Sequence, residues 1–295
     1  MKVLVTGASG FIGRQAIDIL ARQGRFDVVA VSRGPAVDLP PLVSHESVDL
    51  LQPGAAEALI RRVRPTHLLH LAWNATPGLF WNAPDNLDWA ASTLTLQRTF
   101  LDCQGVRAVM AGTCAEYDWT GNALLSESSA IAPATLYGAI KDATRRAVCA
   151  GAERLGGSVA WGRVFWLYGP REAAGRLVSD VVSALRNGQP VNVSEGRQRR
   201  DFLHVDDVAG AFVAALDSNA NGPFNIGSGA AVPVRDIVQM LGDISGRPEL
   251  IHFGARPSPV NDPPELAADT RRLHEDIGYV PAISLQDGLT GLFNL

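Results

Sequence analysis

Tyr137 and Lys141 bracket the stretch Tyr137-Gly-Ala-Ile-Lys141, and on a helix that spacing places both side chains on one face. A phenol beside an ammonium is a tunable proton carrier. Free tyrosine holds its proton to a pKa of about 10, and a neighbouring cation favours the phenolate and lowers that value. The pair can then exchange a proton with a substrate oxygen. Thr113, upstream, is read together with them. The same spacing occurs on ordinary exposed helices, so the weight of the pair depends on what the rest of the chain builds around it.

The first supporting element is a nucleotide-binding turn. The apolar run Lys2-Val-Leu-Val5 leads into Thr6-Gly-Ala-Ser-Gly-Phe-Ile-Gly13, after which Ile12, Ala16, Ile19 and Leu20 repeat with helical spacing. Strand, glycine turn and helix form the context of a dinucleotide site. Gly7 allows the tight turn, Gly10 lets the backbone approach a pyrophosphate, and Gly13 lets the helix pack near the strand, with helix amides facing the anion. The spacing is Gly-x-x-Gly-x-x-Gly rather than Gly-x-Gly-x-x-Gly. The next strand, Asp27 to Val31, ends in Ser32-Arg33 where an NAD site places a carboxylate for the ribose hydroxyl. With Arg14 just past Gly13, this predicts NADP(H) as the preferred cofactor and NAD(H) as a possible one.

A helix is predicted over Ala55 to Val63 and a buried strand over Thr66 to Leu71, whose near-continuous apolar run suits a parallel sheet covered on both faces. Asp49 and Leu50 before that helix are placed to flank an adenine. His67 and His70 read as strand-end and core histidines, since no carboxylate or cysteine stands at metal spacing, and no metal is assigned. The strand Arg107 to Gly112 would deliver Thr113 to the carboxyl edge of the sheet, where open α/β sheets bind ligands.

Composition bounds these readings. The chain has 295 residues, 46% of them hydrophobic and 19% charged, enough for one large α/β domain or a domain with a smaller companion. A net charge of -4 without any Lys/Arg-rich run leaves no footprint for nucleic acid. Cys103, Cys114 and Cys149 lack metal-ligand spacing and are odd in number, which argues against a disulfide framework and fits a reducing cytoplasm. No run reaches membrane-spanning length, and the chain starts directly on an apolar strand without a leader pattern, so a soluble cytoplasmic protein is expected.

The order of Thr6 to Gly13, Asp49-Leu50, His70-Leu71-Ala72, Thr113 and Tyr137 to Lys141 resembles the extended short-chain dehydrogenase/reductase family, the nucleotide-sugar epimerases, dehydratases and reductases. The likeness continues through Arg163-Val-Phe-Trp-Leu-Tyr-Gly-Pro170, Arg200-Asp-Phe-Leu-His-Val-Asp-Asp207 and Phe224-Asn-Ile-Gly227. The resemblance implies that Thr113 holds the substrate's keto or hydroxyl oxygen, Tyr137 is the acid/base, and Lys141 holds the nicotinamide ribose and lowers the tyrosine pKa. It also implies a cofactor site of Gly7, Gly10, Phe11, Ile12, Gly13, Arg14, Ser32, Arg33, Asp49, Leu50, Leu71, Ala72, Tyr137 and Lys141. Arg200 would bind the substrate diphosphate, with Arg256 as a second phosphate-binding arginine although Asp262 lies further on than the family places it. Trp166, replacing an asparagine, is a candidate substrate wall; Trp73, Trp81 and Trp119 fall in segments near it.

Two departures narrow the reaction. In 4,6-dehydratases the two residues after the threonine are an aspartate and a glutamate that eliminate water; here they are Cys114 and Ala115, with Glu116 one position late. On an extended backbone Glu116 would point elsewhere. A thiol nucleophile at Cys114 lacks a neighbouring histidine. The expected fold is α/β, a Rossmann-type doubly wound parallel sheet over residues 1–166 with return segments near 204–227. A smaller mixed α/β substrate-binding unit over 167–295 interleaves with it. Helices Leu87 to Cys103 and Ala134 to Leu155, rich in small residues, would form a homodimer. The expected activity is NADPH-dependent reduction of a 4-keto group on a nucleotide-activated 6-deoxyhexose. The alternatives are a nucleotide-sugar 4-epimerase and a non-catalytic NADP(H)-binding regulator.

Overall fold

The run Lys2–Thr6 is hydrogen-bonded in parallel to Asp27–Ser32 on one side and to His67–His70 on the other. Covered on both faces as well, it has to be apolar, and Val3, Leu4 and Val5 are fully buried. The computed structural model describes residues 1–35, 38–121, 123–258 and 262–294. In chain order the strands are β1 (Lys2–Thr6), β2 (Asp27–Ser32), β3 (Ser44–Ser47), β4 (His67–His70), β5 (Arg107–Thr113), β6 (Leu124–Leu125) and β7 (Ser158–Val164). They continue with β8 (Trp166–Tyr168), β9 (Val191–Asn192), β10 (Arg199–His204), β11 (Gly222–Ile226), β12 (Ala231–Pro233), β13 (Ile251–His252) and β14 (Glu265–Ala268). The helices are α1 (Phe11–Gln23), α2 (Ala55–Val63), α3 (Asp85–Asp102), α4 (Leu136–Leu155) and α5 (Leu177–Arg186). After them come α6 (Val205–Asp217), α7 (Val234–Ser245), α8 (Arg271–Glu275) and α9 (Leu285–Gly291).

Among the described residues, seven strands form one parallel sheet in the order β11-β7-β5-β4-β1-β2-β3. Chain order reverses between β1 and β4, the switch point at which such sheets open a crevice for a ligand. One face is covered by α1 and α6, the other by α2, α3 and α4. Because α6 is pinned between the sheet and α1, it is buried almost all round, which explains its run Val208-Ala-Gly-Ala-Phe-Val213. Two later segments join this layer: β11 pairs in parallel with β7, and α6 packs on α1.

A second sheet runs β12-β10-β14-β6, with β8 also paired to β10, and β9 and β13 pair in parallel as a separate two-stranded sheet. A core of Val178, Val181, Leu185, Ile237, Leu241 and Leu289 lies under α5, α7 and α9. β10 carries the motif Arg200-Asp-Phe-Leu-His, and its carboxylate is a fastener rather than a reagent. Asp201 accepts the amides of Ser228 (2.6 Å), Gly229 (3.0 Å) and Ala268 (3.0 Å), which ties β10 to the start of β12 and to β14. Asp207 does the same for Ala282 and Ile283 (3.0 and 2.9 Å). Among the described residues no helix is long and apolar enough to cross a membrane.

Candidate active site

The glycine turn is closed as tightly as its sequence demands. Gly7 has φ +70°, and a Cβ there would lie 2.7 Å from the Ala72 amide nitrogen, so the turn rests directly on the Leu71-Ala72 backbone after β4. A Cβ on Gly13 would lie 2.1 Å from the Gly7 carbonyl oxygen, and one on Gly10 would lie 3.0 Å from it. The amides at the start of α1, those of Phe11 and Ile12 among them, have no side-chain cap. They are therefore free to meet an anion. This cradle fits a dinucleotide diphosphate.

Beside it, Arg14, Ser32, Asp38, His45 and Arg171 line a small cavity. Ser32 Oγ is hydrogen-bonded to His45 Nε2 at 2.8 Å, and Arg14 Nε donates to the Ser9 carbonyl at 2.9 Å. Arg33 is exposed at the end of β2. His45 and Arg171 escape a motif-based reading because they come from the polar edge strand β3 and from the loop after β8. Asp49 accepts from the Leu51 amide (3.1 Å) to shape the turn before α2, and Leu50 is buried beneath it.

The three chemical residues converge at the carboxyl edge of the sheet. Thr113 ends β5; Tyr137 and Lys141 lie on the first turns of α4, which Thr135 caps by accepting the Gly138 amide. A Cβ at Gly138 would sit 2.2 Å from the Ala115 carbonyl, so α4 presses directly on the segment after Thr113. The Thr113 hydroxyl is within hydrogen-bonding reach of the phenol. Phe80, Trp81 and Trp73 pack edge-on around the Tyr137 ring at centroid distances of 4.9, 6.0 and 6.5 Å.

Lys141 differs from its expected behaviour. Its ammonium donates to the Ala111 carbonyl at 2.9 Å and lies 3.6 Å from the Trp73 ring centroid, against 5.8 Å to the ring of Tyr137. Burial lowers its pKa to about 7, opposed by the charge of Glu116. In this arrangement the apolar packing of the phenol pushes the Tyr137 pKa up, offset in part by Thr113, and the sequence expectation of a tyrosine held low by the lysine is not met.

The segment after Thr113 also departs from the reading. Cys114–Glu116 is a 3-10 turn, not an extended strand, and it folds Glu116 inward. Glu116 is fully buried; it accepts from the Thr113 amide (3.0 Å), Trp161 Nε1 (2.8 Å) and Arg163 Nε (2.7 Å). The signal was legible as Thr-x-x-Glu, the capping-box pattern. Burial pushes the Cys114 thiol well up, so it is no thiolate. His70 is a core residue as read, hydrogen-bonded to Thr6 (2.7 Å) and Thr93 (2.9 Å) and held neutral by burial at a pKa of about 3.

A second wall leads away from Thr113. Trp119 Nε1 donates to the Cys114 carbonyl (2.9 Å), its ring meets Trp166 at 5.8 Å, and the Arg200 guanidinium lies 5.1 Å over Trp166. Arg200 is buried and ion-paired with Asp262. Arg256 is exposed, its backbone amide bonded to Val193. Pro259, Val260 and Asn261, between Arg256 and Asp262, lie outside the described residues.

A parallel sheet with a glycine cradle at its switch point and Thr, Tyr and Lys at its carboxyl edge defines an enzyme of the extended short-chain dehydrogenase/reductase class. The chain belongs to the NAD dependent epimerase/dehydratase family, whose sequence model matches residues 3–227. It is 25% identical to the UDP-glucose 4-epimerase of Thermotoga maritima solved with UDP-glucose, covering all of this chain and 99% of that one at a TM-score of 0.90. MoeE5 in complex with UDP-glucose and NAD is 29% identical over all of this chain and 98% of that one, with a TM-score of 0.83. UDP-glucuronic acid decarboxylase 1 of Arabidopsis thaliana is 24% identical over 98% of this chain and 68% of its own length.

Proposed function

We propose that the protein is a nucleotide-sugar 4-epimerase that works by oxidation and reduction at C4. The observation that carries this reading is the convergence of Thr113, Tyr137 and Lys141 beside the glycine cradle, in a chain similar along its whole length to a UDP-glucose 4-epimerase. When bound, the nicotinamide takes up and returns the hydride. Tyr137 moves the proton of the 4-hydroxyl, and Thr113 holds that oxygen as its charge develops. Lys141 positions the cofactor ribose. The Trp119 and Trp166 rings wall the sugar, and Arg200 grips a phosphate when Asp262 yields it. Dehydration is disfavoured, since Cys114 and Ala115 bring no carboxylate and Glu116 is spent on Thr113, Trp161 and Arg163. The test is interconversion of UDP-glucose and UDP-galactose, followed by NMR without added cofactor. No epimer from any of a panel of nucleotide sugars would sink the reading.

The end of β2 favours a second reading, the NADPH-dependent 4-ketoreductase. Ser32 stands where a carboxylate would accept from the ribose, and Arg14 and Arg171 face the same cavity. Under this reading NADPH binds at least about tenfold tighter than NADH, from charge-assisted contacts worth about 1.5–3 kcal/mol. Titration of both cofactors at low salt checks it, and equal affinities would leave the epimerase alone.

A homodimer is proposed through α3 and α4. Leu87 and Leu94, 55% and 40% exposed, share the outer surface of α3 with Ala91, and Ala139, Ala143 and Ala147 repeat every four residues on the exposed side of α4. Small side chains let helices approach closely across a twofold axis. Sedimentation at micromolar concentration should show a dimer and Leu94→Glu a monomer; a monomeric wild type would remove the idea.

A further inference from the structure

Glu116 is a fully buried carboxylate beside the reacting residues, and the reaction as proposed makes no use of it. Three donors from two neighbouring strands meet it: the Thr113 amide of β5 at 3.0 Å, and the Trp161 indole at 2.8 Å and Arg163 guanidinium at 2.7 Å of β7, with Arg145 Nε of α4 at 3.7 Å. The site is built to keep this anion. A Cβ at Gly112 would lie 2.7 Å from Glu116 Oε1 and 2.0 Å from Trp161 Nε1, so glycine is what lets the carboxylate and the indole close beneath the end of β5. The carbonyl of the preceding residue, Ala111, is the one that holds the Lys141 ammonium. The ammonium at Ala111 and the carboxylate at Gly112 and Thr113 thus lie against successive residues of the strand, and both approach the Trp161 indole, at 5.8 Å to its ring centroid and 2.8 Å to its Nε1.

We propose that Glu116 is a positioning residue for the acid/base site, pinning the Thr113 backbone and supplying a fixed negative charge to the buried Lys141 ammonium. The proposal rests on the functional reading above for its catalytic consequence, but not for its test. A buried ammonium without a nearby anion loses its proton, and here Glu116 opposes that loss. The other titratable groups around Lys141 cannot substitute for it. Tyr137, one turn earlier on α4, is a protonated phenol; His70 on β4 is neutral; Asp142, the next residue, is taken up by Arg145 and Arg146 at 2.6 and 2.7 Å. Trp73 and Trp161 present only ring faces to the ammonium, at 3.6 and 5.8 Å. Arg163 and Arg145 face Glu116 and neutralise part of its field.

The composition makes a direct test possible, because Lys2 and Lys141 are the chain's only lysines. Labelling lysine with carbon-13 at the ε position gives two NMR signals, one exposed and one buried. In the full-length wild type the Lys141 signal should titrate near 7. In Glu116→Gln it should titrate about 1 unit lower or more, the effect of losing one nearby charge. Trp161→Phe removes a donor to the carboxylate and keeps the charge, so its midpoint should stay with the wild type. Where Glu116→Gln alone does not fold, the double variant Glu116→Gln/Arg163→Met removes the buried pair together and should still shift the midpoint downward, by less than Glu116→Gln would because a cation is lost with the anion. An unmoved midpoint in a folded Glu116 variant overturns the proposal. The measurement needs no turnover: a wild type inactive on every nucleotide sugar but with a Glu116-dependent Lys141 titration defeats the functional reading and leaves this one standing.

Discussion

Tyr137→Phe is expected to lose about 10²- to 10⁴-fold in turnover, the usual contribution of a positioned acid/base. Its fold and cofactor affinity should change little. The ring contacts with Phe80, Trp81 and Trp73 survive the substitution, and only the hydroxyl facing Thr113 is removed. The raised phenol pKa sharpens the expectation: without its partners bound the group holds its proton at neutral pH and is poised as a donor. Turnover of wild type and variant on UDP-glucose and on 4-keto sugar nucleotides checks this. Equal rates would mean that the proton travels by another route.

Gly13→Ala is expected to have the other large effect, on cofactor binding. The added methyl would lie 2.1 Å from the Gly7 carbonyl oxygen and 2.9 Å from its carbon. Both obstacles are backbone, in a turn already fixed by φ +70° at Gly7 and by its rest on Ala72. The start of α1 must therefore shift. Overpacking of this kind costs about 2–3 kcal/mol, so dinucleotide affinity should fall by roughly 100-fold. Gly151→Ala is the matched control. It lies inside α4 with nothing within 4 Å of the added carbon, and it should raise stability by about 0.5–1 kcal/mol without touching affinity. Cofactor titration and thermal unfolding of the two variants separate local crowding from a general glycine effect.

The parts legible in the sequence are those in which one local rule decides. The helix read over Ala55 to Val63 is α2 as observed, because its buried positions Ala56, Leu59, Ile60 and Val63 recur with helical spacing. The strands around the cradle were equally plain, since a sheet covered on both faces admits only apolar runs. β3 was not legible: Ser44–Ser47 is a polar edge strand that packs one side against β2 and leaves no hydrophobic pattern. The second sheet was read only in part, because β6, β12 and β14 are two to four residues long and are held by the Asp201 carboxylate more than by periodicity.

At the site, the spacing of Tyr137 and Lys141 gave their shared helix but not their electrostatics. The direction of a pKa depends on which neighbours arrive from β4, β5 and the Trp73 loop, and those neighbours are distant in sequence. Glu116 shows the same limit from the other side. Taken as extended, the Thr113 segment sends its carboxylate away; closed as a capping box, it turns the same residue into the anion beneath the site.

The most direct test of C4 redox chemistry follows a deuterium atom. UDP-glucose deuterated at C4 is incubated with the wild-type protein in ordinary water, and the product is read by NMR. Hydride exchange predicts an epimer that keeps deuterium at C4 and takes no hydrogen there from water; the ketoreductase reading predicts instead that deuterated NADPH delivers its label to C4 of a 4-keto sugar nucleotide. A wild-type protein that neither inverts nor reduces C4 in any of these substrates, or an epimer whose C4 deuterium has washed out into water, contradicts the account.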